Sequence, residues 1–264
     1  MDPLLADRTA VVTGAASGNG RAIARRLAEH GADVVIADLR EDPREGGTPT
    51  HELVGEETDA RATFVECDVT DWDVIVDAVA AAEAFGGVDV MVNNAGVIRT
   101  GAVTDVTEAD FDAVMDVNVK GTFFGAKAAA EQMNDGGVIV NLSSLSGLVG
   151  AARNSLYCAS KGAVRLFTYA LAAELGPRGI RVNAVHPGPV ETKMIEEDAP
   201  IIGSDREDPY RQSIPLGRFG DTADVADAVL YLASDLSEFV TGTSLTLDGG
   251  LSNTGGVSQM PDSG

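Results

Sequence analysis

Tyr157 and Lys161 bracket the stretch Tyr157-Cys158-Ala159-Ser160-Lys161, and in this chain they are the pair best suited to moving a proton. Residues 151–155 can turn a loop into a helix, and Gly162-Ala163-Val164-Arg165-Leu166-Phe167 continues at helical spacing. On a helix, positions i and i+4 share a face, so the phenol and the ammonium point into one space. An unperturbed phenol titrates near ~10 and is a poor base at neutral pH. A fixed cation beside it favours the phenolate, so Lys161 is expected to lower the pKa of Tyr157. Such a pair can take a proton from an alcohol, or return one to a ketone, provided that a cofactor carries the hydride.

Tyr-x-x-x-Lys alone also describes a half-buried aromatic beside a solvated lysine. Two other segments set this pair apart. Val138-Ile139-Val140-Asn141-Leu142-Ser143-Ser144 reads as a buried strand that ends in hydroxyls just upstream of Tyr157. Thr13-Gly14-Ala15-Ala16-Ser17-Gly18-Asn19-Gly20 follows a strand and opens a helix. Gly14, Gly18 and Gly20 let the backbone approach a pyrophosphate, whose charge then lies at the positive end of that helix. Asp38 closes the second strand, where a carboxylate can accept hydrogen bonds from an adenosine ribose and repel a 2′-phosphate. Ser17 stands before Gly18 where a cation would serve that phosphate, so NAD is expected over NADP, with Arg40 close enough to pull the other way.

These residues need a scaffold, and the chain alternates strand and helix throughout. Apolar runs predict strands over Thr9–Thr13, Asp33–Asp38, Ala62–Val69, Val88–Asn93, Gly137–Ser144, Ile180–Val185 and Ser244–Leu247. Helical periodicity predicts helices over Arg21–Glu29, His51–Thr58, Trp72–Phe85, a long one over Glu108–Met133, the one carrying Tyr157 as far as Gly176-Pro177, and Ala223–Ser234. Residues 41–50, with Pro43, Gly46, Gly47 and Pro49, predict a surface loop. Residues 189–219 are polar and proline-punctuated, and predict an irregular substrate lid; residues 251–264 predict a flexible or interface tail. Repeated βα units with apolar strands imply one α/β domain over 1–264: a doubly wound, Rossmann-type parallel sheet of about seven strands with helices on both faces. Ligands of such sheets lie beyond the strand carboxyl ends, where Gly14, Asp38, Asp68, Asn94, Ser144 and Pro187-Gly188 all fall.

The charge balance narrows the partners. Asp and Glu number 41 against 19 Lys and Arg, a net charge of −22, and only Lys120, Lys127, Lys161 and Lys193 are lysines. Such a chain repels nucleic-acid backbones and anionic membranes, so neither is expected as a partner. It repels itself in dilute buffer, and salt screens that repulsion. An acidic, lysine-poor, Ala- and Gly-rich composition is the one expected of a halophile. The start Met1–Asp7 has neither a basic stretch nor an apolar core, which with two unpatterned cysteines, Cys67 and Cys158, implies a reducing cytoplasm. His30, His51 and His186 lack zinc spacing, so no metal is expected.

From about Ala6 to Gly250 the chain resembles the short-chain dehydrogenase/reductase family. The motifs match in order: Thr13-Gly-x-x-x-Gly18-x-Gly20, Asn93-Asn94-Ala95-Gly96, Asn118, Ser144, Tyr157-x-x-x-Lys161 and Pro187-Gly188. The resemblance implies that Tyr157 is the acid/base, that Lys161 binds the nicotinamide ribose, and that Ser144 hydrogen-bonds the substrate oxygen. It implies that Asn118 holds a helix kink and a water in the proton relay. Ser143 is an adjacent rival, and the spacing to Tyr157 selects Ser144. Cofactor contacts implied in the same way are Gly14, Ser17, Asn19, Gly20, Asp68 and Val69 at the adenine, Asn94, Ala95 and Gly96, Tyr157, Lys161, Pro187, Gly188, and Val190 and Thr192 at the carboxamide. Asn19 departs from the aliphatic residue usual in the family; its amide could bond the pyrophosphate or a neighbouring loop. The resemblance also implies a homotetramer built on helices 108–133 and 155–175, with the last helix and strand as a second contact.

Candidate substrate contacts are Ser144, Ser146, Asn154 and Tyr157. Arg99, Arg153, Asn154 and His186 would make the pocket polar, as for a sugar, polyol or hydroxy acid. Reduction of a 3-oxoacyl thioester with NADPH is the alternative reaction and sits poorly with Asp38. A non-catalytic dinucleotide sensor on the same fold would not need Asn118, Ser144, Tyr157 and Lys161 together.

Overall fold

The computed structural model describes residues 3–253. Its seven strands form one parallel sheet in the order β3-β2-β1-β4-β5-β6-β7. They span β1 Thr9–Thr13, β2 Asp33–Asp38, β3 Ala62–Glu66, β4 Val90–Asn93, β5 Val138–Leu142, β6 Arg181–Pro187 and β7 Ser244–Leu247. Strand order reverses between β1 and β4, which opens a crevice at their carboxyl ends.

The two-residue period of the strands sorts the core into two layers. Val12, Val34, Val92 and Val140 face α1 (Gly18–Glu29) and α8 (Thr222–Ala233), meeting Ile23, Leu27, Val225 and Val229. Val11, Val35, Met91, Ile139 and Val182 face the opposite layer, where Val79 of α3 (Trp72–Ala80), Ala126 and Ala129 of α5 (Thr122–Gln132) and Leu171 of α6 (Ser155–Leu175) close over them. Burying a Val or Leu of this kind contributes about 1.5–3 kcal/mol. Small residues bring the helices close: a methyl at Gly125 would be driven into the Asn93 amide. Helix α8 starts in a reciprocal cap, with Asp221 accepting from the Asp224 amide and Asp224 accepting from that of Asp221.

Several expected bounds need correction. The third strand ends at Glu66 and the fourth begins at Val90, although Cys67 still bonds Asp38 and Asp89 still bonds Thr9 and Val138 through the backbone at the sheet margins. The long helix over Glu108–Met133 is interrupted: α4 covers Glu108–Met115, a π turn covers Asp116–Gly121, and α5 follows. Residues 189–219 are not wholly irregular, since they hold a π turn at Met194–Asp198 and α7 at Glu207–Ser213. The predicted tail falls outside the described residues from 254 onward; Ser252 is held in a turn by the Asp248 carboxylate. The remaining helix, α2, spans Thr50–Glu57. Among the described residues no helix is long and apolar enough to cross a membrane.

Candidate active site

The glycine-rich turn is set by backbone geometry. Gly14 and Gly18 take left-handed φ values of 64° and 53°, which cost a residue with a Cβ but not glycine. Gly20 is buried and does not line the cavity; it lets α1 press onto β1, where a methyl would be driven into the Gly14 carbonyl oxygen. Gly20→Ala should therefore force the turn open. Overpacking of this kind costs about 1–3 kcal/mol, so a fall in Tm of several degrees with weakened dinucleotide binding is expected from a thermal melt and a cofactor titration. An unchanged melt would show that the turn has slack.

The strand ends are tied together beneath this turn. Thr13 Oγ1 accepts from the amides of Asn94 and Ala95 at 3.0 and 3.1 Å, and Asn94 Nδ2 donates to the carbonyls of Thr13 and Gly14 at 2.9 and 3.1 Å. Asp38 Oδ2 accepts from the Ala16 amide at 2.9 Å, and burial pushes its pKa upward. Thr50 Oγ1 donates to the carbonyls of Ala15 and Ala16 from the start of α2.

Loop 41–50 is more than padding. Glu45 Oε1 accepts from the Gly18 amide at 2.9 Å, and the Arg44 amide donates to Ser17 Oγ at 2.8 Å. The Arg44 guanidinium pairs with Glu197 and Asp198 across the cavity mouth, and these carboxylates hold it above its usual pKa. A carboxylate thus sits on the helix N-terminus where a pyrophosphate would bind, and Asn19 Oδ1 is buried without a partner. The first observation fits an anionic dinucleotide at this turn, whereas the Asn19 oxygen is an acceptor and would need a hydroxyl or amide donor. No spacing in the sequence points to Glu45 or Arg44, which lie in a segment whose prolines and glycines signal only a surface loop.

The proton-moving groups converge at the other end of the same cavity, whose volume is about 510 Å³. Ser144 caps a short 3-10 turn through Oγ, which accepts from the Ser146 amide, and its hydroxyl lies close enough to the Tyr157 phenol to favour the deprotonated form. Ser143 points elsewhere: its hydroxyl donates to the Lys161 carbonyl at 2.9 Å. Lys161, on α6 with Tyr157, is 3% exposed and donates from Nζ to the Leu142 carbonyl at 2.9 Å. Asn118, on the π turn, accepts from the Val97 amide and donates to the Val97 carbonyl and to Ser160 Oγ. Its side chain reaches backbone rather than the cavity wall.

Burial governs the titration of the pair. The Tyr157 phenol is pushed up to about 12, with the Ser144 hydroxyl acting in the opposite sense, and Lys161 is pushed down to about 8. The expected lowering of the phenol by Lys161 is therefore corrected. The ammonium donates to the Leu142 carbonyl, and burial is the largest influence on the phenol.

Of the residues singled out by sequence, Gly14, Ser17, Asn19, Asp38, Asp68, Val69, Asn94, Ala95, Gly96, Ser144, Ser146, Asn154, Tyr157, Lys161, Pro187, Gly188, Val190 and Thr192 line this one cavity. His186 and Arg99 do not. His186 is fully buried behind the wall, and Arg99 turns back to the Ile98 carbonyl and towards Asp110. The substrate end is completed by Ile98, which follows the Asn94-Ala95-Gly96 motif, and by Met194, Ala199, Ile201, Arg206 and Tyr210 of the 189–219 segment.

A family model described as enoyl-(acyl carrier protein) reductase matches residues 14–252. Trans-4-hydroxycyclohexanecarboxylate dehydrogenase of Sinomonas cyclohexanicum is 42% identical over 253 residues, covering 93% of each chain. The chain belongs to the short-chain dehydrogenase/reductase family. L-rhamnose 1-dehydrogenase (NAD(P)(+)) of Azotobacter vinelandii is 41% identical over 255 residues, covering 94% of this chain and 98% of that one. A short-chain dehydrogenase from Burkholderia cenocepacia, solved in complex with NADP, superposes with a TM-score of 0.86 at 39% identity, covering 94% of this chain and 99% of that one. As a short-chain dehydrogenase/reductase, the chain is an oxidoreductase that interconverts an alcohol and a carbonyl using a nicotinamide dinucleotide.

Proposed function

We propose that this enzyme oxidises a secondary hydroxyl on a small ring or polyol, with NAD preferred over NADP. The carrying observation is the convergence of Ser144, Tyr157 and Lys161 on one cavity whose other end has the anion-binding turn and Asp38. In this reading Ser144 donates a hydrogen bond to the substrate oxygen, and the Tyr157 oxygen takes the hydroxyl proton. Lys161 supplies positive charge beside Tyr157, and Asn118 fixes the Val97 backbone and Ser160 next to them. The bound dinucleotide supplies or accepts the hydride. Gly14, Ser17, Asn19, Gly20, Asp38, Asp68, Val69, Asn94, Ala95, Gly96, Pro187, Gly188, Val190 and Thr192 are the residues proposed to hold it. In the return direction a neutral phenol is the better donor, and burial favours that form at neutral pH.

The substrate reading rests on the wall. Ile98, Met194, Ala199 and Ile201 offer an apolar slot, while Ser146, Asn154, Arg153 and Arg206 offer polar groups at its mouth. Residues 189–219 are proposed as the lid. This mixture suits an alicyclic alcohol with a polar or anionic substituent, and the Sinomonas relative is named for such a compound. A panel of 4-hydroxycyclohexanecarboxylate, cyclohexanol, L-rhamnose and 2,3-butanediol with NAD and NADP, and of acetoacetyl thioester with NADH and NADPH, followed by nicotinamide absorbance, tests it. The ring hydroxy acid and NAD should give the highest kcat/KM. Thioester reduction exceeding every alcohol would overturn the reading.

We propose a cytoplasmic homotetramer with halophilic character. Helix α6 presents Ala159, Leu166, Ala170 and Ala173 outward, and up to Ala173 this helix has no carboxylate, although the chain carries a charge of −22. Phe111 and Phe123 are also exposed beside it, while Tyr231, Leu236 and Phe239 are exposed near α8 and β7. These are the two surfaces proposed for pairing with further copies. The exposed Glu108, Asp112 and Asp116 of the α4 region would face like charges in such an assembly. At molar salt the screening length is ~3 Å, so the tetramer should persist there and dissociate, with loss of activity, below a few tenths molar. Light scattering across a KCl series reads the outcome, and an active tetramer in low-salt buffer would remove the case for halophily.

A further inference from the structure

His186 is buried on β6, immediately before the Pro187-Gly188 end of the strand, and its two ring nitrogens are both engaged. Nδ1 lies 2.8 Å from the Ser144 carbonyl oxygen, and Nε2 lies 2.9 Å from Ser244 Oγ on β7. A carbonyl only accepts, so Nδ1 carries the proton and donates. Burial, with the Arg165 and Lys161 charges nearby, lowers the pKa of His186, which keeps the ring neutral and leaves Nε2 as an acceptor. The Ser244 hydroxyl must then donate to Nε2. Its oxygen is 2.6 Å from the Tyr169 hydroxyl, which in turn has to be the donor to Ser244, and the Tyr169 oxygen accepts from Arg165 Nε at 2.9 Å. Every hydrogen is thus assigned, and the chain runs one way from Arg165 through Tyr169, Ser244 and His186 to the Ser144 main chain.

The receiving end is the point of the arrangement. The β5–β6 ladder stops at Leu142 and Val185, with one further bond from the Ser143 amide to the Val185 carbonyl. Ser144 lies beyond that ladder in extended conformation, and its carbonyl is held by the Gly147 amide and by His186. The Ser144 hydroxyl, on the same residue, lines the cavity with Tyr157 and Lys161. We propose that His186 is a positioning residue for Ser144: it takes the place of the missing ladder bond, and the Ser244–Tyr169–Arg165 chain fixes its ring. This rests on the reading of Ser144 as part of the proton-transfer site.

The test compares Ser144→Ala, His186→Leu, His186→Asn and Ser244→Ala in the full-length enzyme, measuring kcat, KM, cofactor Kd and the solvent deuterium isotope effect on kcat. Leucine fills the volume without a donor, whereas the asparagine amide restores an N–H near the Nδ1 position. A displacement of about 1 Å in a reacting group can cost ~10²-fold, so His186→Leu should lose roughly 10–100-fold in kcat with cofactor Kd within about twofold of wild type and a larger isotope effect. His186→Asn should recover most of the loss, and Ser244→Ala, which cuts the chain beyond the ring, should lose several-fold. If His186→Leu does not fold, the Asn and Ser244 variants carry the test. A Ser244→Ala enzyme with wild-type kcat and isotope effect, or a His186→Leu loss that appears equally in cofactor binding, overturns the proposal. Wild-type turnover in Ser144→Ala would instead overturn the reading of the site on which it rests.

Discussion

Tyr157→Phe should abolish nearly all turnover while the protein still folds and still binds dinucleotide. The phenol is 8% exposed and packs with Ile98 and Ala199, contacts that phenylalanine retains. What disappears is the oxygen that shares the cavity with Ser144 and that we propose exchanges the substrate proton. Positioned acid/base groups contribute about 10²–10⁴-fold, so kcat should fall by at least that lower bound. The pH dependence gives an independent mark. Burial pushes the phenol up to about 12, so at neutral pH almost all of it is protonated. Oxidation needs the deprotonated oxygen, and its rate should rise as pH increases towards that value. Reduction uses the protonated form, should be flat near neutrality, and should fall only in strong alkali. Tyr157→Phe should lose the alkaline rise along with the rate. A variant retaining more than about a tenth of wild-type turnover at saturating cofactor would remove Tyr157 from the role, since no positioned acid/base group is worth so little.

The reach of the sequence follows from which interactions are local. Strands such as Thr9–Thr13 and Asp33–Asp38 are legible because buried parallel strands are continuous apolar runs, and helix α8 because Asp221 and Asp224 announce its start. The π turn at Asp116–Gly121 is not legible in the periodicity, since its cause is non-local, Asn118 being drawn to Val97 across the chain; the family resemblance alone marks a kink at Asn118. Helix α7 is short and polar and shows no apolar stripe. At the site, Tyr157, Lys161 and Ser144 stand out by spacing, whereas the titration of the pair depends on how deeply α6 is buried, a tertiary property. His186 was visible as a residue but not as a link, because its partners come from a loop and from β7, and β7 is far along the chain. Glu45 reached Gly18 through a loop whose composition signals only a turn.

Cofactor choice should turn on Asp38, and the wild-type enzyme should show a higher kcat/KM with NAD than with NADP. Asp38 closes β2 at the cavity wall, and two groups already fix its carboxylate: the Ala16 amide at 2.9 Å and the Arg40 amide at 3.4 Å. A 2′-phosphate brought beside it would meet a like charge in a partly desolvated site, where unit charges 4 Å apart repel by about 4 kcal/mol at an effective dielectric of 20. Two nearby cations could offset this. Arg44 is committed to Glu197 and Asp198, which leaves Arg40 as the group working against the preference. Asp38→Ser removes the repulsion and keeps an oxygen that can accept from the Ala16 amide. Adding Ser17→Arg supplies a guanidinium able to bond phosphate oxygens in pairs, at the cost of the Ser17 bond to the Arg44 amide. Together the two changes should move the NADP/NAD ratio of kcat/KM by roughly 10²-fold, the equivalent of about 2.7 kcal/mol. Asp38→Ser alone should deliver the larger share, because it abolishes a repulsion, whereas the arginine adds an attraction that solvent partly screens. Steady-state kinetics with both cofactors on the wild type and on each single and double variant measure the shares, and a wild type that works better with NADP would place the discriminating charge at Arg40 instead of Asp38.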